Sequence, residues 1–195
     1  MSTVIYPTPL VPRQIRLELS AKCNASCASC HRLTMKREQG LMSRQLVEKC
    51  LADVRGFPQP IQEIVPANYG EVFIHPEWYE MLQLISQELP GTRMVIPING
   101  TLLGNGNVEK LAAIPTLHLV NISVNAFLPA TYEAFHKLPA RFMAEIQDSA
   151  INLRKLRPDV TIWISMVRDS QYQSPKEVEL FQGHWSQYGI VQINT

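Results

Sequence analysis

Three cysteines fall within eight residues in the segment CNASCASCHR: Cys23, Cys27 and Cys30, spaced C-x3-C-x2-C. Thiolates are soft ligands that favour zinc, copper(I) or iron–sulfur clusters. A structural zinc ion completes its tetrahedron with a fourth Cys or His. Neither available candidate suits that role. Cys50 sits in the helix-period stretch LVEKCLADV, and His31 directly adjoins Cys30. A cubane [4Fe–4S] cluster held by three cysteines leaves its fourth iron open to a small molecule, a departure from the usual four-cysteine arrangement. The ligand count therefore favours a cluster, with a zinc-stabilised binding module as the competing reading.

Positioning these thiols falls to the elements around them. They follow QIRLELS, where Ile15, Leu17 and Leu19 alternate onto one face as in a first strand. Five further strand-like runs follow: IQEIVPAN, RMVIPI, LHLVNISV, VTIWISMV and GIVQIN. Helix-period segments separate them: about Ser43 to Val54, HPEWYEMLQLISQELPG, VEKLAAI, RFMAEIQDSAINLRKL and PKEVELFQGHW. Ser43 serves as an N-cap, Pro76 fits a first turn, Pro90 and Gly91 stop a helix, and Ser174, Pro175 and Glu177 form a capping-box start. In the first helix Leu46, Val47, Cys50, Leu51 and Val54 share a face, which makes Cys50 a buried structural cysteine. In the long helix Phe142, Ile146, Leu153 and Leu156 do the same. Six β/α units with continuous apolar strands indicate a parallel sheet covered by helices, either doubly wound and open or a partial barrel. In both layouts functional groups lie at the C-terminal strand ends.

Composition narrows the classes. The 195 residues, 46% hydrophobic and 18% charged, predict one globular domain over 1–195 with an extended, proline-bearing arm over 1–12. Eighteen Lys and Arg against 17 Asp and Glu leave a net charge of +1, so there is no electrostatic case for a nucleic-acid or acidic-membrane partner. No apolar run approaches the roughly 20 residues that span a bilayer. Four cysteines without a secretory signal point to a reducing, cytoplasmic setting.

The cysteine loop, placed after the first strand of a β/α domain, resembles that of the radical S-adenosylmethionine (SAM) enzyme superfamily. It is most similar to the branch with C-N-x-x-C-x-x-C-P-R loops, which includes peptide-modifying maturases and molybdopterin-precursor enzymes. Asn24 and Arg32 match; His31 replaces Pro, and Ser29 stands where an aromatic residue or Met often packs near adenine. NYGEVFIHPEW resembles the G-G-E-P segment after the second strand, with Gly70 and Glu71 matching and Tyr69 and Val72 departing. PINGTLL resembles T-N-G-T-L-L, with Asn99 matching and Ile98 replacing Thr. ISVNAFLPATYEAF resembles I-S-V-D-G-x-x-P-x-T-Y-E, giving Ser123 and, in place of Asp, Asn125 on one side of the fourth strand. His136, with Lys137 beside it, aligns with an Arg that pairs with the SAM carboxylate. Met166 and Arg168 in ISMVRD lie near the expected site mouth.

The resemblance implies a partial (β/α)6 barrel in which Cys23, Cys27 and Cys30 hold a [4Fe–4S] cluster. Glu71 with Gly70 would receive the SAM amino group, and Ser123 with Asn125 its ribose or carboxylate. Asn99 would form a turn at the site, and His136 would pair with carboxylate. Reductive SAM cleavage would then yield a 5′-deoxyadenosyl radical that abstracts hydrogen from a substrate, a peptide or a small molecule, with a flavodoxin or ferredoxin as electron donor. The substituted motif positions leave a second expectation, a cluster-binding protein that has lost catalysis.

Overall fold

The computed structural model describes residues 11–194, so most of the expected N-terminal arm lies outside the described residues. Its strands are β1 (Gln14–Arg16), β2 (Glu63–Val65), β3 (Arg93–Ile98), β4 (Leu117–Ser123), β5 (Thr161–Val167) and β6 (Ile190–Asn194). They form one parallel sheet in strict chain order. A doubly wound sheet reverses strand order partway; this one does not. Successive crossovers step in one direction, so the helices gather on one face and the other face curves into a partial barrel. Those helices are α1 (Arg44–Arg55), α2 (Trp78–Glu88), α3 (Asn107–Ala112), α4 (Pro129–His136), α5 (Phe142–Leu156) and α6 (Pro175–Trp185).

Strand burial follows the two faces. Ile64, Met94, Ile96, Ile98, Val120, Ile122, Ile162 and Ile164 are buried. Their alternates Val95, Pro97, Asn121 and Trp163 are half-buried on the concave side. The strands are therefore not uniformly apolar, as a sheet covered on both faces would require. Leu17 and Leu19 are buried as the alternation predicts, although β1 itself closes at Arg16. Beyond it the Leu17 and Leu19 amides still donate to the Val65 and Pro66 carbonyls.

Several local readings shift. Val47, Leu51 and Val54 bury one face of α1, but Leu46 is exposed and Cys50 only partly covered, because α1 meets its neighbours along a narrower stripe. Leu156 likewise ends exposed at the last turn of α5. Pro76 stands ahead of Glu77, the N-cap of α2, rather than inside its first turn. Helix α4 was not anticipated; its segment PATYEAFH was read through its motif resemblance and not for helical periodicity.

Ser174 caps α6 as expected by accepting from the Glu177 amide at 3.2 Å. The Glu177 carboxylate does not fold back onto Ser174. Buried, it accepts from the Phe127 and Leu128 amides at 3.1 and 3.0 Å and from the Thr131 hydroxyl at 2.9 Å. One acidic side chain on α6 thus satisfies the two amides that lead into α4 and a hydroxyl in its first turn, tying the β4–α4 connection to the next unit. Glu177→Ala leaves those donors unpaired and should cost roughly 3 kcal/mol. Urea unfolding should show a lower midpoint at unchanged m-value; an unshifted midpoint would contradict this role.

Candidate functional site

The loop between β1 and α1 carries the three cysteines, and its backbone is held by the end of α4. The Ser26 amide donates to the His136 carbonyl at 3.1 Å and the Ala28 amide to the Phe135 carbonyl at 2.9 Å. Terminal helix carbonyls lack intrahelical partners, so this docking satisfies both sides. Within the loop the Cys30 amide donates to the Cys27 carbonyl at 3.0 Å, and the Ala25 amide approaches Cys23 Sγ at 3.4 Å. Arg32, buried, donates to the Ala25 carbonyl at 2.6 Å and to Gln39 Oε1 at 2.7 Å, closing the loop from behind. Sequence reading noted Arg32 only as a pattern match; its partner Gln39 carried no signal.

Cys23, Cys27 and Cys30 line one open cavity of about 150 Å³ together with Gly70, Glu71, Asn99, Ser123 and His136. These residues come from the ends of β1 to β4 and from α4. At Gly70 an added Cβ would lie 2.0 Å from the Ser20 carbonyl oxygen, so only glycine lets this strand-end loop press against the segment after β1. The next amide, Glu71, donates to the Lys22 carbonyl at 2.8 Å.

Glu71 is buried, and its Oε2 accepts from the Asn99 amide at 2.8 Å. Burial pushes its carboxyl up to about 7, against the backbone donors of Asn99, Phe73 and Val72. Among the described residues no cation pairs with it. Asn99 closes a ring with two other side chains: its Nδ2 donates to Asn24 Oδ1 at 2.8 Å, Asn24 Nδ2 to Thr101 Oγ1 at 2.8 Å, and Thr101 Oγ1 to Asn99 Oδ1 at 2.7 Å. Asn99 Nδ2 also lies 3.7 Å from Cys23 Sγ. The turn residue and the cysteine loop are thereby braced against each other, and Thr101 was missed because nothing but the fold brings it to Asn24.

Two expected site residues occupy other positions. His136 is fully buried, with Nε2 at 2.8 Å from the Val124 carbonyl and Nδ1 at 3.1 Å from Cys27 Sγ. Burial pulls its imidazole down to about 4. It is a neutral ring behind a cysteine, not an exposed cation awaiting a carboxylate. Neighbouring Lys137 ends α4 in the left-handed conformation, φ 58°, and is exposed. Asn125 does not continue the alternation begun by Ser123. It lies past the end of β4 with φ 58°, and its buried Oδ1 accepts from the Val167 amide at 2.7 Å. Its Nδ2 sits 3.3 Å from His136 Nε2, so Asn125 braces β4, β5 and α4 instead of lining the cavity. Met166 is buried and Arg168 exposed at the end of β5; neither lines the cavity.

The thiols fit a multi-iron group. Burial pushes the Cys27 thiol up to about 12, with further upward pressure from Cys23 and Cys30; burial also raises Cys23. Thiolates at these positions need a positive centre to displace their protons. Among the described residues no three His, Cys, Asp or Glu side chains group tightly enough to hold a single ion. Three thiols lining one cavity match the three-cysteine ligand set of a [4Fe–4S] cluster with one open iron.

No family model matches the chain. By sequence it is 29% identical over 102 residues, 52% of this chain, to the tungsten-containing aldehyde ferredoxin oxidoreductase cofactor-modifying protein of Pyrococcus furiosus. It is 29% identical over 132 residues, 67% of this chain, to the AdoMet-dependent heme synthase of Methanosarcina barkeri. These matches cover 28% and 36% of the relatives' own lengths. By fold it resembles Streptococcus suis SuiB bound to the precursor peptide SuiA, with a TM-score of 0.73, 15% identity, and coverage of 95% of this chain and 40% of that one. SuiB bound to S-adenosylmethionine superposes at 0.72 with 15% identity, over 95% of this chain and 41% of SuiB. The likeness to these structures shows a shared fold, a singly wound partial barrel with a three-cysteine loop after its first strand. The proteins it matches in sequence and fold include radical SAM enzymes, and the chain resembles that superfamily, whose cofactors are a [4Fe–4S] cluster and S-adenosylmethionine.

Glu71 carries a measurable consequence in the cluster-free chain. Its folded-state carboxyl holds a proton up to about 7, whereas the unfolded one ionises near 4.5. The folded state therefore binds more protons between these values, and stability is lost as pH rises from about 4.5 to 7. The loss is on the order of 3 kcal/mol. The buried His136, pulled down to about 4, adds an opposing gain over much of this range. The Glu71 contribution is therefore read as a difference: in urea unfolding, stability should rise more steeply with pH in Glu71→Gln than in wild type. Equal slopes in both proteins would contradict the assignment.

Proposed function

We propose that the chain is the catalytic core of a radical SAM enzyme in which Cys23, Cys27 and Cys30 hold the cluster and Glu71 receives the ammonium of SAM. The observation that carries this reading is one cavity shared by three thiols and a buried carboxylate with no cation. When bound, the cluster supplies the electron that cleaves the SAM sulfonium bond, giving methionine and a 5′-deoxyadenosyl radical for hydrogen abstraction from substrate.

The chain's own residues do the positioning. Glu71 holds its proton while the cavity is free of charge and becomes a carboxylate when an ammonium approaches. Gly70 sets the depth of that carboxylate, and the Asn99 amide fixes one of its oxygens. Ser123 offers a hydroxyl on the opposite wall. Asn99, Asn24 and Thr101 keep the Cys23 end of the loop in register, and His136 backs Cys27. Burial of Ala25 and Arg32 behind the loop limits water at the sulfur ligands.

The SuiB complex with its precursor peptide supports a peptide substrate for this chain too, held in the open side of the partial barrel. A flavodoxin or ferredoxin in a cytoplasmic, reducing compartment would supply the electron. One observation favours a second reading, cluster retention without catalysis: no Lys or Arg is among the residues lining the cavity to pair with the SAM carboxylate.

Anaerobic loading with iron and sulfide should give a brown protein with about four irons per chain, and dithionite plus SAM should release 5′-deoxyadenosine. Cys23→Ala, Cys27→Ala and Cys30→Ala should each lose the chromophore. Glu71→Gln should keep it and bind SAM about tenfold or more weakly, as a buried charge-assisted contact is lost. A brown protein that leaves SAM intact would support the second reading; a colourless one holding zinc would overturn both.

A further inference from the structure

The cluster cavity adjoins a second and larger one, with Asn68 and Pro97 lining both. The second has a volume of about 330 Å³ and runs along the concave face of the sheet, bordered by Arg16, Glu63, Asn121 and Trp163. Register sets Pro97, Asn121 and Trp163 side by side on β3, β4 and β5. Asn121 precedes Ser123 by two residues, so its side chain points to the same face about 7 Å deeper along the strand. One molecule of modest size therefore reaches from Asn121 to the cluster cavity.

Two groups in this second cavity lack partners. Asn121 Oδ1 is buried and accepts no hydrogen bond, an unfavourable state for an amide oxygen. Arg16 makes no ion pair among the described residues, whereas Glu63 is neutralised by Arg93 at 2.9 Å and also accepts from Gln14 at 2.9 Å. The cavity thus holds one uncompensated guanidinium, whose fork matches a carboxylate. Val65, Val95, Leu119 and the half-buried Trp163 supply apolar wall between the two polar groups.

We propose that this cavity binds the substrate through a carboxylate on Arg16 and an amide N–H on Asn121 Oδ1. The ligand is an N-acylated acidic amino acid, free or within a peptide chain, with its aliphatic part against Trp163. This deepens the proposed function and rests on it for the placement of SAM next door.

Equilibrium dialysis of the cluster-loaded full chain, under anaerobic conditions, tests it with four probes. These are N-acetylglutamate, N-acetylglutamine, and N-acetylated, C-amidated pentapeptides of alanine with glutamate or glutamine at the centre. At least one glutamate probe should bind tenfold or more tightly than its glutamine counterpart. Arg16 is exposed and unpaired, so Arg16→Gln should leave the fold intact and erase that preference. Asn121→Leu should weaken acid and amide probes by a similar factor and keep the preference. Tighter binding of the pentapeptide would assign a peptide source, and binding of N-acetylglutamate alone a small metabolite; both support the shared chemistry. Equal affinity for acid and amide, a preference that survives Arg16→Gln, or no binding of either acidic probe would overturn it. Binding is read without SAM cleavage. Failure of binding in a chain that releases 5′-deoxyadenosine overturns this inference alone, and binding in a chain that leaves SAM intact overturns the catalytic reading alone.

Discussion

Keeping three thiols around one cavity while burying them is the constraint on which the rest of the site depends. Burial favours the protonated forms of Cys23 and Cys27, and the neighbouring cysteines push Cys27 further up. A flexible loop would relieve this by splaying open. Here two loop amides are bonded to the final carbonyls of α4, and the guanidinium of Arg32 clamps the far side. The loop is therefore preorganised for a positively charged centre, so little ordering remains when that centre binds.

Because the loop leans on α4, everything that places α4 also places the cysteines. Glu177 fastens the start of that helix from α6, while Asn125 and the Val124 carbonyl fasten its end through His136. The consecutive sheet brings these pieces within reach, since each β/α unit packs beside the next. A connection between Cys27 and His136 spans 109 residues of chain yet crosses only from the first strand's loop to the fourth unit. The same curvature leaves the concave face uncovered by helices, which is why half-buried polar residues persist there.

The substituted motif positions acquire physical content in this setting. A charged Arg in place of His136 would have to be buried behind Cys27 beside the Val124 carbonyl, a costly place for a guanidinium; a neutral imidazole fits it. Asn125, lacking the charge of Asp, accepts from a β5 amide through its Oδ1 and sets an uncharged amide beside the buried His136 ring. Asn125 is thereby an internal brace, while His136 lines the cavity with its ring nitrogens turned to Val124 and Cys27.

Much of this was legible in the amino-acid order. Six strand-helix units and the cysteine spacing follow from periodicity, turn residues and ligand chemistry, all local in sequence, whereas the strand-end segments around Glu71, Asn99 and Ser123 stood out through their resemblance to radical SAM motifs. Strand order was not legible, because the same apolar runs suit an open doubly wound sheet; only the pairing of each strand with its chain neighbour decides for a partial barrel. Nor were the inward turn of His136, the departure of Asn125 from strand alternation, or the Asn24–Asn99–Thr101 ring. Each depends on contacts between segments far apart in the chain or on a left-handed backbone residue, and no local pattern encodes either. Residue types set what chemistry the chain has available; packing at long range decided which of those residues face the cavity and which hold it in place.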